Sequence, residues 1–276
     1  MNTNSNTPNV DLFPVAAIQM VSSANVTENL EQAAELIRQA AQAGAGLIAL
    51  PEYFCFMGQR DRDKLAIKEE PGQGLIQAFL SKQAALYGVW LAGGTLPLAC
   101  PEPERVFNST FVYAPDGRSA ARYDKIHLFS FKKDAESYDE SIAICPGDQV
   151  QAFDAPCGRV GLSVCYDLRF PEIYRAMGPL NLILVPAAFT YTTGAAHWEL
   201  LLRARAIENQ CYVLAPAQGG RHANGRRTWG HSMLIDPWGE IINVLPEGPG
   251  VVSGNIVLQR IAEVRSALPA LRHRVM

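Results

Sequence analysis

Hydrophobic positions along this chain switch repeatedly between two rhythms. Val15–Met20 (VAAIQM) is an apolar run of strand length. Glu28–Gly44 (ENLEQAAELIRQAAQAG) then spaces its apolar residues at helical intervals and closes on glycine, as helix ends prefer. Leu47–Leu50 (LIAL) is strand-like again, with Pro51 and Glu52 at its carboxyl end. GLIQAFLSKQAALYG predicts a helix, and VWLAGG a strand after it. NSTFVYAPDGR and RYDKIHLF read as strands divided by a PDG turn. The alternation then returns as strand RVGLSVC, helix PEIYRAM, strand NLILVP, helix AAHWELLLRARAIENQ and strand CYVLAPA. SMLIDPWGEI and VVSGNIVL supply the last strands, and Arg260–Leu271 a terminal helix loosened by Pro269.

Strands alternating with helices on either side of a hairpin-rich middle predict an α/β protein. Two sheets pack together inside, with helices outside. No segment is long or flexible enough for a linker, so residues 12–276 are expected to form a single domain behind a flexible polar tail, residues 1–11. That tail, MNTNSNTPNVD, lacks the charged n-region and apolar core of a signal peptide. No apolar run approaches the roughly 18 residues of a membrane helix. A cytoplasmic protein with no membrane partner is expected.

Charge and cysteine usage narrow the chemistry. Against 27 acidic residues stand 24 basic ones, a formal net charge of −3, and no basic block tracks a phosphate backbone. Nucleic acid is therefore not an expected partner. The six cysteines include no CxxC pair, which favours free thiols over a disulfide framework. No HExxH or Cys/His cluster has metal-ligand spacing, and neither GxGxxG nor GxxxxGK[ST] occurs, so no metal and no cofactor are expected.

Three positions could act together: Glu52 in ALPEYF, Lys125 in RYDKIHLF and Cys165 in GLSVCYD. In open α/β sheets, reactive groups gather at the carboxyl ends of strands, where Glu52 and Cys165 both fall. A carboxylate can take the thiol proton, and an ammonium can favour the thiolate and then stabilise an oxyanion. The backbone N–H of Tyr166, one residue past the thiol, could supply a second oxyanion donor. Each position also has an ordinary structural alternative. Cys165 could be small core filling, Glu52 a helix cap and Lys125 a surface charge. A Cys–His pairing through His127 or His197 is open as well. From spacing alone, the choice between filler and nucleophile, and between bases, stays open.

At these residues the chain resembles the carbon–nitrogen hydrolases of the nitrilase superfamily, from about Val15 to Val257. The family carries a Glu in a PE segment, a Lys in DKxHLF and a Cys in a G-apolar-x-apolar-C-Y-D segment. Here they stand in order as PEYF, DKIHLF and GLSVCYDLRFPE. The resemblance implies Glu52 as general base, Lys125 as oxyanion stabiliser and Cys165 as nucleophile, with Glu140 of YDESIAICPGD as a fourth member. It also implies a four-layer α-β-β-α sandwich that forms a homodimer or larger homo-oligomer. Within the family, CYDLRFPE, TGAAHWELLLRARAIENQCYV and GHSMLIDPWGE look most like the amidases of 2-oxo acid amides. The implied partner is a small-molecule amide, first deaminated glutathione, cleaved to 2-oxoglutarate and cysteinylglycine. The alternatives are 2-oxoglutaramate or 2-oxosuccinamate, then nitrilase or N-carbamoyl amidase activity, then a catalytically silent scaffold.

Arg169 matches a family position that clamps the substrate carboxylate, which suits a bidentate guanidinium. Phe189 and Thr193, in AAFTYTTG, match residues lining the same pocket, and Tyr123 is a further lining candidate. The segment LFSFKKDAESYDES departs from the family's usual DVDIPGG-type loop. Trp198, Arg203 and Arg205 are expected to hold their helix or a subunit interface. Asp167 and Glu172 are expected to fix Arg169 or cap the following helix.

Overall fold

The computed structural model describes residues 12–133 and 136–275; the tail expected over residues 1–11 lies outside them. The first half runs β1 (Leu12–Gln19), α1 (Val26–Gln42), β2 (Leu47–Ala49), α2 (Leu75–Tyr87), β3 (Trp90–Ala92) and β4 (Leu96–Ala99). β5 (Val106–Tyr113), β6 (Ser119–Asp124), β7 (Ser130–Lys133), β8 (Glu136–Asp139) and β9 (Ile144–Cys145) complete it. The second half begins β10 (Gln151–Ala155), β11 (Gly158–Leu162), α3 (Pro171–Ala176), β12 (Leu182–Leu184), α4 (Tyr191–Asn209) and β13 (Tyr212–Ala215). It closes with β14 (Gly219–Arg221), β15 (Arg227–Trp229), β16 (Ser232–Ile235), β17 (Ile241–Leu245), β18 (Gly250–Val257) and α5 (Leu258–Ala267).

One sheet is ordered β18-β1-β2-β3-β5-β4, with β6 and β9 also on β5; the other is ordered β10-β11-β12-β13-β16-β17. Each is built around three parallel strands. Val15 pairs with Leu47 and Leu47 with Trp90 in the first, Val160 with Leu182 and Leu182 with Tyr212 in the second. Strand alternation sorts the layers. Val15, Ala17, Leu47 and Ala49 enter the core shared with Val160, Leu162, Leu184 and Leu214 of the second sheet. Ala16, Ile18 and Ile48 point the other way, under Leu36 and Ile37 of α1 and Leu80 of α2. Because helices cover the outer face, β1 from Leu12 to Ile18 and all of β2 are apolar at every position rather than at alternate ones. Trp198, Leu202 and Ala206 of α4 and Tyr174 of α3 cover the second sheet. The layers are thus helix, sheet, sheet, helix.

α1 starts where Asn25 caps it by accepting the Glu28 N–H at 3.3 Å, and its buried stripe includes Leu30, Leu36 and Ile37. Each such side chain contributes about 1.5–3 kcal/mol when sealed from water. β4 was not anticipated in the sequence, since Pro97 within it argues against a strand; it ends the sheet order, where a missing N–H costs little. The expected RYDKIHLF strand stops at Asp124, which leaves Lys125 just beyond it. The atypical segment after Phe129 forms an antiparallel ribbon, β7 on β8, outside both sheets. No helix among the described residues is long and apolar enough to cross a membrane.

Candidate active site

Glu52 owes its place to two breaks in the chain. Pro51 ends the run of β2, and residues 52–55 turn back, with Tyr53 at φ 57° donating its N–H to Thr95 Oγ1 at 2.9 Å. Gly94, at φ 55°, passes so close beneath this turn that a Cβ there would lie 2.1 Å from Pro51 O. Only glycine fits, on both counts. No helix follows Glu52, so it caps nothing.

Cys165 stands on a sharper bend. After β11, its N–H donates to Pro186 O at 2.9 Å, and its φ of 50° lies in the left-handed region that residues with a Cβ avoid. The chain then enters a single 3-10 stretch, Cys165–Arg169. A strained non-glycine backbone at a strand end is a common setting for a functional side chain. Asp167 ties the bend down, accepting from Val164 N at 2.8 Å, Tyr123 Oη at 2.6 Å and His127 N at 3.0 Å. Arg205 braces it from α4 by donating to Leu168 O at 2.9 Å.

Lys125 links the two. Its Nζ donates to Glu52 Oε1 at 2.9 Å and to Glu140 at 3.0 Å (Oε1) and 2.8 Å (Oε2), with the side chain fully buried. Glu140 also accepts from Tyr53 Oη at 2.8 Å and Phe129 N at 2.7 Å. Glu52 accepts from Asn108 Nδ2 at 2.9 Å through Oε1 and from Ala188 N at 2.9 Å through Oε2. Cys165, Glu52 and Ala188 line the same cleft. The Tyr166 N–H has no acceptor among the described residues.

Electrostatics divide the two acids. Burial raises Glu52 above the ordinary carboxylate value, and the nearby Glu140 charge adds to this against the opposing pull of Lys125. Burial also works on Glu140, but the Lys125 charge and hydrogen bonds outweigh it and hold this carboxyl low. Burial and the Glu52 charge push the Cys165 thiol well up, so it rests protonated; Lys125 does not make it a standing thiolate. Burial would strip the Lys125 proton, yet Glu140 and Glu52 keep it firmly in place.

Cys165 borders two cavities. A smaller one of about 210 Å³ is lined by Tyr166, Arg169, Phe189 and Thr193, and a larger cleft of about 580 Å³ by Glu52, Tyr53, Lys64, Glu140 and Arg226. Phe129, Ala188 and Thr190 belong to both. The structure therefore gathers Glu52, Lys125, Glu140, Cys165 and Tyr166 at one point, with Arg169, Phe189 and Thr193 beside them. Arg169 lies over the Phe189 ring at 5.5 Å and donates to His197 Nδ1 at 3.3 Å. Tyr123 is not brought to either cavity: it is fully buried in the core, with its hydroxyl on Asp167. Asp167 serves that hydroxyl and the bend rather than Arg169. His127 is held by Asp167 at 2.7 Å, stacks on Phe170 at 3.8 Å and lines neither cavity. Trp198 holds its helix by donating to His231 O at 2.9 Å.

Sequence reading missed Asn108, Tyr53 and the Ala188 N–H. Asn108, an amide at the start of the strand-like NSTFVY, was the one visible signal, because a buried amide needs a partner.

Known proteins share this arrangement of chain. The carbon–nitrogen hydrolase family matches residues 14–266. A deaminated glutathione amidase of Synechocystis is 43% identical over 273 residues, covering 95% of this chain and 98% of its own. An omega-amidase of Xenopus laevis is 37% identical over 266 residues, 95% of each chain. Among solved structures, Saccharomyces cerevisiae Nit3, a member of branch 10 of the nitrilase superfamily, superposes with a TM-score of 0.85 at 29% identity. That match covers 96% of this chain and 97% of Nit3.

Proposed function

The chain belongs to the carbon–nitrogen hydrolase family, and from that premise we propose an amidase whose acyl half is a 2-oxo acid, deaminated glutathione foremost. The observation that carries this reading is the position of Cys165 at the junction of two cavities, one holding Arg169 and the other roomy enough for a large amine half. The names of the Synechocystis and Xenopus relatives point the same way.

In the first half-reaction, Glu52 takes the thiol proton as Cys165 sulfur bonds to the amide carbon. The oxyanion that forms lies against Lys125 Nζ and the Tyr166 N–H, the latter having no competing acceptor. Loss of one such donor typically costs about 2.7–4 kcal/mol of transition-state stabilisation. As the C–N bond breaks, Glu52 returns its proton to the leaving amine, and a thioester remains on Cys165. In the second, Glu52 takes a proton from water, hydroxide adds to the thioester carbon, and the C–S bond breaks. The departing sulfur recovers the proton from Glu52. A base poised above the ordinary carboxylate range suits both directions of transfer.

Rates on deaminated glutathione, 2-oxoglutaramate and a simple nitrile would test the reading. The expected order places deaminated glutathione first and the nitrile last; nitrile cleavage at the highest rate would overturn it. We further propose that the enzyme works as a homodimer through α4 and β17, where Leu200 is 71% and Val244 39% exposed beside one groove. A monomer mass by light scattering at micromolar concentration would refute that.

A further inference from the structure

The two cavities meeting at Cys165 both present cations, which differ in what they already hold. Arg169 faces the smaller cavity. In the larger one, Arg226 is committed to Asp61 at 2.7 Å, and Arg227 to Glu247 at 2.7 Å while lying 3.8 Å over the Tyr191 ring. Lys64, in the 3-10 segment Asp61–Ile67, lines the same cleft and makes no hydrogen bond or ion pair among the described residues. Its Nζ sits 4.8 Å over the Tyr53 ring.

The acids around it are occupied elsewhere. Asp61 serves Arg226, Glu140 serves Lys125, Tyr53 and the Phe129 N–H, and Asp139 accepts from Ser141 N and Oγ. An ammonium with three donors, partly removed from water and left without an acceptor, is a site for an anion.

We propose that Lys64 binds a carboxylate carried on the amine half of the amide substrate. The enzyme then favours amides whose leaving group is an anionic amino acid or peptide over primary amides, which release only ammonia. This rests on the reading above, in which the acyl half fills the Arg169 cavity and the amine half lies in the larger cleft. Burial lowers the Lys64 pKa, so an anion placed there also restores charge to a group that folding disfavours as an ammonium.

Deaminated glutathione and its carboxamide at the glycine end separate the possibilities. In the unsubstituted enzyme, kcat/KM for the acid is expected to exceed that for the carboxamide by about tenfold or more, as a charged hydrogen bond warrants. Lys64→Met should bring that ratio near one, and Lys64→Arg should keep it, each variant being checked for an unchanged thermal unfolding midpoint. Equal rates on acid and carboxamide in the unsubstituted enzyme, or a ratio retained in Lys64→Met, would overturn the role of Lys64 alone. Turnover of neither compound would overturn the substrate reading itself.

Discussion

Lys125 Nζ stands 2.9 Å from Glu52 Oε1 while holding Glu140 through both carboxylate oxygens, so one buried ammonium is shared unequally between two acids. The unequal share separates their roles. Glu140 takes the larger part of the positive charge and stays ionised; Glu52 is left with the larger burial penalty and a raised pKa. Two carboxyls driven apart by their surroundings are what acid–base chemistry near neutrality requires.

Glu140→Gln tests the sharing. Removing that charge takes away a group that raises Glu52 and frees Lys125 to favour the Glu52 carboxylate. Both effects lower the Glu52 pKa. The acid limb of kcat/KM is expected to move to lower pH, and kcat to fall by about 10²-fold as the base weakens. A pH–rate profile with an unmoved acid limb would show that the two carboxyls are not coupled through Lys125.

The pH dependence of the unsubstituted enzyme follows from the same directions. Activity needs ionised Glu52, so it should fall away as pH drops through a value above the ordinary 4.5. On the alkaline side it should persist, because Lys125 and the Cys165 thiol both titrate well above their usual values. Stability runs in the opposite direction. Since the folded-state pKa of Glu52 is raised, its favourable contribution is full below 4.5 and declines as pH rises through the folded value. Glu52→Gln is therefore expected to raise the unfolding midpoint at pH 7 and to leave it nearly unchanged at pH 4, while abolishing turnover.

Cys165→Ala should abolish turnover without unfolding the protein, and the intact enzyme mixed rapidly with substrate should show a mass increase on the Cys165 peptide equal to the acyl half. His127→Ala loses its contact with Asp167 and its stack on Phe170. It is expected to cost about 1–3 kcal/mol of stability yet to retain activity in the folded protein. An inactive, folded His127→Ala would revive the Cys–His alternative.

Asn108 acts through Glu52. Asn108→Leu keeps the bulk of the side chain and removes the Nδ2 donor at 2.9 Å. With one donor fewer, the Glu52 pKa should rise, moving the acid limb upward. A purely structural role would lower the unfolding midpoint and leave that limb in place.

Arg169→Lys keeps the charge but loses the planar fork. Binding of a 2-oxo acid is expected to weaken, raising KM by about tenfold with a smaller change in kcat, as the loss of a bidentate contact predicts. An unchanged KM would remove Arg169 from the clamp.

Much of the architecture could be read before any coordinates. The strand-helix rhythm from Val15 to Leu50 and again from Arg159 to Ala217 is a local property: burial on both faces of a parallel strand demands a continuous apolar run, and a covering helix demands its 3.6-residue stripe. What escaped was set by position within the sheet. β4 is a strand despite Pro97 because it lies at an edge, and the Phe129–Glu140 segment pairs with itself as a ribbon.

The site divides in the same way. Glu52 and Cys165 were candidates because a reactive residue type stands at a strand end, and Lys125 because an ammonium could serve them; only the resemblance of PEYF, DKIHLF and GLSVCYD to family motifs chose these roles over ordinary structural ones. Asn108, Tyr53 and the Ala188 N–H were not candidates, since their roles depend on partners 56, 87 and 136 residues away. Tyr123 was misplaced for the complementary reason: the alternation of its strand turns it into the core, onto Asp167. The sequence by itself thus determined the layers, which follow from local pattern, and through its family motifs it named the candidate reactive residues. Only the tertiary structure decided which acid keeps its charge, that the thiol rests protonated, and which cation in the cleft still lacks an anion. Those depend on burial and on the distances between segments far apart in the chain, and both arise only when the two sheets close on one another.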